Sequence, residues 1–177
     1  MNKDIALLVI DVQNGMFQET DPVYDDHGLL ERIRGLIKKA RACDTPVIYV
    51  QHNEGEGEPL ETNSQGWEIH PMIAPVGGDT IIQKHTPDSF HETNLHTELV
   101  TLGIKKVVIV GVQTDLCIDA TSRRASELGY EVTVVKDCHS TWSQGNQSAS
   151  QIIADYNNHF RSFADNLESS NIEFCSK

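Results

Sequence analysis

Three side chains with complementary chemistry stand where short apolar runs stop: a carboxylate at Asp11, an ammonium at Lys84 and a thiol at Cys117. Cys117 lies between the apolar run KKVVIV and a helical pattern ending in ELGY. A thiol in the first turn of a helix faces unpaired backbone N–H groups and the positive end of the helix dipole. Both favour the thiolate, the nucleophilic form of cysteine. A carboxylate, a cation and a thiol brought together are the parts of a covalent hydrolase. Taken singly, each residue has a plainer role. A free cysteine is commonly a small buried hydrophobe, an aspartate at a strand end often caps a turn, and a loop lysine is usually solvated. Only their shared position at strand ends favours chemistry.

The elements that must position them alternate in type. Apolar runs Ile5 to Ile10, Val47 to Val50, Thr80 to Gln83, Val107 to Val110 and Glu131 to Val135 read as strands. Leu29, Leu30, Ile33, Leu36, Ile37 and Ala40 recur at helical spacing, as do Leu95, Leu99 and Leu102, closed by Gly103. A further helix is expected from about Asp115 to Leu128, and a last one carries Ile152, Ile153, Tyr156, Phe160 and Phe163 on one face. The C-terminal Ile-Glu-Phe is a candidate sixth strand. This alternation predicts a three-layer α/β/α fold with a mostly parallel sheet of five to six strands. In such sheets ligands bind beyond the carboxyl ends of the strands, where strand order reverses. If the first and fourth strands are neighbours there, Asp11 and Cys117 face each other.

The chain has 177 residues, enough to bury a core as one domain spanning 1–177. Its net charge is −12, from 26 acidic and 14 basic residues. That balance disfavours nucleic-acid and anionic-membrane partners and suits a cationic small molecule. Cys43, Cys117, Cys138 and Cys175 form no C-x-x-C pair, so reduced thiols and no zinc site are expected. The opening residues MNKDIALLVID show no long apolar region or cleavage signal, so no secretory leader is expected, and no run approaches the roughly 18 apolar residues of a membrane span. A cytoplasmic location follows as an expectation. Residues 53–78 form a long stretch rich in Gly, Glu, Asn and Pro, with Glu54, Glu56, Glu58, Glu61, Glu68 and Trp67. It carries no strong pattern and is expected to move as a lid. Its carboxylates either steer a cation or form a solvated face. The candidates for contacting substrate are Gln13, Phe17, His52, Trp67 and Phe90, with packing roles as the alternative.

The segments LLVIDVQNGM around Asp11, IIQKHTPDSF around Lys84 and VIVGVQTDLCIDATSRRASELGY around Cys117 resemble the isochorismatase-like cysteine hydrolases over nearly the whole chain. The resemblance implies a Rossmann-like sheet in which Cys117 is the nucleophile, Asp11 takes its proton and Lys84 supplies positive charge. It also implies a cis peptide at Val112–Gln113, with the N–H groups of Gln113 and Cys117 forming an oxyanion hole. A homo-oligomer, dimer or tetramer, is implied as well. Nicotinamidases of this family carry Asp-x-His after the second strand, whereas YVQHNEGEGE has none. The branch that hydrolyses a vinyl ether tends to lack the thiol. The sequence therefore looks most like the metal-independent amidases, streptothricin hydrolase-like proteins among them. The expected activity is cleavage of a small non-peptide amide C–N bond through a thioester, with no cofactor and no metal. The rival readings are a metal-assisted, nicotinamidase-type amidase using His52, Glu54 and His70, and a non-catalytic ligand-binding or scaffold protein on this fold.

Overall fold

A computed structural model describes residues 4–175. Six strands, β1 (Ile5–Ile10), β2 (Val47–His52), β3 (Thr80–Lys84), β4 (Lys106–Val112), β5 (Glu131–Ser140) and β6 (Asp165–Leu167), form one sheet in the order β3-β2-β1-β4-β5-β6. Every strand pair is parallel. β1 is buried on both faces because helices cover both. On one side, α1 (Asp26–Ala42) packs Leu29, Ile33 and Leu36 against Leu7, Val9, Tyr49 and Val110. On the other, α2 (Leu95–Thr101), α3 (Asp119–Glu127) and α4 (Ala149–Phe160) cover Leu8, Ile10, Val50 and Ile109. The three-layer architecture expected from the alternation is what the chain adopts. Strand order reverses between β1 and β4, which run in register from Ile5 opposite Lys106 to Ile10 opposite Gly111.

Two expectations are corrected, the sixth strand and the reduced cysteines, and the structure adds detail to the helix at Cys117 and to the 53–78 stretch. The sixth strand is Asp165–Leu167, paired with β5 and held by Asn166, whose side chain donates to Val134 O at 3.1 Å. Ile172 and Phe174 are instead buried in the core beneath α1 without strand pairing. The helix near Cys117 begins as a π turn, Thr114–Ile118, and becomes α-helical only at Asp119. The 53–78 stretch is laced to the segment after β1: Asn14 N–H donates to Glu68 O, Gly15 N–H to Gly66 O and His70 N–H to Val12 O, at 2.9, 2.8 and 2.9 Å. Finally, Cys43 at the end of α1 is joined to Cys175 by a disulfide with Cα atoms 5.4 Å apart, so the thiols are not all reduced. Among the described residues no helix is long and apolar enough to cross a membrane.

Candidate active site

The carboxyl ends of β1, β3 and β4 converge at the reversal. β1 ends by turning sharply, with Asp11 at φ 52°. β4 comes unusually close beside it. Gly111 has φ 131°, and a Cβ there would collide with the Ile10 carbonyl, so only glycine fits. The register of β4 against β5 shifts at the same point. The Val112–Gln113 peptide that follows is cis, as the resemblance implied. The π turn then carries Cys117 over the end of the sheet.

Lys84, the last residue of β3, reaches across β2 to join these parts. Its side chain is fully buried. Nζ lies 2.8 Å from Asp11 Oδ2, 3.3 Å from Cys117 Sγ, 3.0 Å from Thr86 O and 3.0 Å from His52 Nδ1. An ammonium has no lone pair, so His52 Nδ1 accepts and the imidazole proton sits on Nε2. Burial and the neighbouring Lys84 charge both hold the His52 pKa below its ordinary value, keeping it neutral. For Lys84, burial works against the charged form, but Asp11 and Cys117 outweigh it and the pKa is raised. The Cys117 thiol is pushed up to about 12, by burial first and the Asp11 charge second, with Lys84 opposing. The resting nucleophile is therefore a thiol rather than the thiolate that a helix dipole alone would favour. Asp11 Oδ1 is buried without a hydrogen-bond partner, which leaves a free acceptor on the carboxylate that shares Lys84 with the sulfur.

A pocket of about 200 Å³ opens onto Sγ. Asp11, His52, Val112, Gln113 and Cys117 line it, together with Met16, Glu54, Leu60, His85, Pro87 and Leu116. Of the five side chains expected to touch substrate, only His52 is in its wall. Gln13 is fully buried as a clamp, donating to His52 O at 2.9 Å and Trp67 O at 2.8 Å while accepting from His52 N–H at 2.9 Å. Phe17 packs edge-on against His70, ring centroids 5.2 Å apart. Trp67 donates its indole N–H to Asn53 and lines a separate open groove with Ile69, Pro75 and Ile81 along β3. Phe90 stacks on Tyr130 in the core beneath α2. The apolar wall residues Met16, Leu60, Pro87 and Leu116 carry no sequence signal, because Leu60 and Pro87 come from irregular segments and Met16 and Leu116 from a single 3-10 turn and the π turn, too short to show periodicity. Among the described residues no group of three or more His, Cys, Asp or Glu side chains is arranged to hold a metal ion.

The sequence profile of the isochorismatase domain matches residues 5–163. Streptothricin hydrolase of Streptomyces noursei is 32% identical over 137 residues, 77% of this chain and 50% of that protein, so the match spans half the relative's length. The uncharacterized isochorismatase family protein YddQ of Bacillus subtilis is 37% identical over 139 residues, 77% of each chain. A crystal structure from Oleispira antarctica, provisionally described as an isochorismatase hydrolase, is similar with a TM-score of 0.90 at 32% identity over 96% of each chain.

Proposed function

The chain belongs to the isochorismatase family, and from that premise we propose that it is a cysteine hydrolase cleaving a small non-peptide amide C–N bond. The supporting observation is the Lys84 ammonium held between Asp11 Oδ2 at 2.8 Å and Cys117 Sγ at 3.3 Å, beneath a pocket open to the sulfur. Asp11 takes the Sγ proton as sulfur attacks the carbonyl carbon. Lys84 stabilises the negative charge that this transfer moves between sulfur and carboxylate. The N–H groups of Gln113 and Cys117 receive the oxyanion, a contribution of about 3 kcal/mol per donor in such sites. The C–N bond then breaks, Asp11 returns the proton to the leaving nitrogen, and a thioester remains. Water attacks that thioester and gives a proton to Asp11. The C–S bond breaks, a carboxylic acid leaves, and the sulfur recovers its proton.

This scheme uses no metal. A divalent ion on His52 Nδ1 would have to displace the Lys84 ammonium from 3.0 Å. The test is a panel of small amides assayed for ammonia or amine release in the presence of a chelator, with intact-protein mass measured after rapid acid quench. Turnover with an acyl adduct on wild type, both lost in Cys117→Ala, is expected. Full turnover in Cys117→Ala, or turnover that stops with chelation, contradicts it.

A further inference from the structure

Glu54 follows β2 by two residues and shares the pocket wall with His52. Its place is fixed twice. Its N–H donates to Leu60 O at 3.0 Å, and Leu60 N–H donates back to Glu54 Oε2 at 2.8 Å. Among the described residues Oε1 has no hydrogen bond and the carboxylate no ion-pair partner, yet it is not a sealed-off buried atom. The other carboxylate of the pocket, Asp11, is matched by Lys84. With Cys117 protonated and His52 neutral, the Asp11–Lys84 pair cancels and Glu54 gives the pocket its negative field. His85, exposed at the rim, is the remaining titratable lining residue. The other carboxylates of the loop do not line the pocket: Glu56 and Glu58 are exposed, and Glu61 Oε2 accepts from Gly57 N–H at 2.9 Å. Met16, Leu60, Pro87 and Leu116 supply apolar walls beside this single unmatched charge.

We propose that Glu54 is a specificity-determining residue that seats a protonated amine of the substrate. The preferred substrates are then small amides with an ammonium or amidinium a few bonds from the scissile carbonyl. The methylenes between the two groups lie along the apolar walls. A charge-assisted hydrogen bond in a half-closed pocket resists loss more than an exposed ion pair does. The acidic surface adds long-range attraction that fades with salt.

The inference rests on the amide-hydrolase reading, and the experiment separates the two. kcat/KM is measured for two amides of equal length, one ending in an ammonium and one in a methyl group. Wild type should favour the ammonium compound roughly tenfold, the order expected of a charged hydrogen bond. Glu54→Gln should abolish that preference and Glu54→Asp should keep part of it. Equal selectivity in wild type and Glu54→Gln, or a preference for the methyl compound, overturns the assignment. If neither amide is hydrolysed, the amide reading fails, and calorimetry with Cys117→Ala decides on Glu54. Tighter binding of the ammonium compound that Glu54→Gln removes supports the ammonium seat; equal binding or none overturns it.

Discussion

At 2.8 Å from Asp11 Oδ2 and 3.3 Å from Cys117 Sγ, the Lys84 ammonium opposes the burial and the carboxylate charge that keep the sulfur protonated. Buried ion pairs rarely add net stability, because desolvation offsets their attraction, so this one is better explained by what it does to the thiol. The opposing effects on Cys117 give two measurements different signs. Asp11→Asn removes a charge that raises the thiol pKa, so alkylation by iodoacetamide at pH 8 should quicken, roughly tenfold for each unit of lowering. The same substitution removes the proton carrier, and turnover should fall by about a hundredfold or more. Lys84→Met should slow both reactions. In wild type, alkylation should climb with pH and show no plateau below about pH 10, since a raised pKa delays the thiolate. Slower alkylation in Asp11→Asn would mean that the carboxylate does not hold the thiol protonated. Asp11 and Lys84 were legible as strand-end residues because strands of this fold deliver their chemistry at carboxyl ends. The protonation state of Cys117 was not, since it depends on burial and on one carboxylate distant in sequence.

At the scale of elements, β1, α1 and the β1–β4 pairing were readable because apolar periodicity and burial coincide there. The signal fails where burial and pairing separate. Ile172 and Phe174 are apolar because they fill the core, whereas the true edge strand, Asp165–Leu167, is mostly polar and anchored by Asn166. The π turn at Cys117 adds backbone to a helix start without changing which residues are apolar. Gln13 shows the same separation for a polar residue. A glutamine near a candidate site suggests substrate contact, yet its amide ties β1 to β2 and to the following loop through three hydrogen bonds. Gln13→Leu would take from the His52 backbone N–H and C=O their side-chain partner, while Trp67 O keeps a second donor in Gln51 Nε2 at 2.9 Å. Each such loss costs about 1–3 kcal/mol, so urea unfolding should show a drop of roughly 2–4 kcal/mol. Because His52 braces Lys84 at 3.0 Å, turnover should fall as well. A stability change under about 0.5 kcal/mol, the level of an ordinary surface substitution, would show that the clamp is dispensable.

Across the whole molecule, the sheet brings Asp11, Lys84 and Cys117 together from three separate stretches of chain, and the Cys43–Cys175 disulfide closes most of that chain into a loop. Four cysteines without short spacing gave no sign of the bridge, because pairing across 132 residues depends on tertiary proximity alone. Such bridges persist in oxidising surroundings, so the cysteine pattern no longer argues for a cytosolic setting. The bridge ties the end of α1 to the tail that buries Ile172 and Phe174, and Lys39 Nζ supports the same tail at Ser169 O, 3.2 Å away. Closing a loop this long removes unfolded-state entropy worth about 3–5 kcal/mol. At about 2–4 °C per kcal/mol for a chain of this size, dithiothreitol should lower Tm by roughly 6–20 °C. Cys43→Ser should match the reduced wild type, and dithiothreitol should not lower its Tm further. A thiol count in denaturant should give two before reduction, from Cys117 and Cys138, and all four cysteines afterwards. Four free thiols before reduction, or a Tm indifferent to dithiothreitol, would show that the tail is held by packing alone.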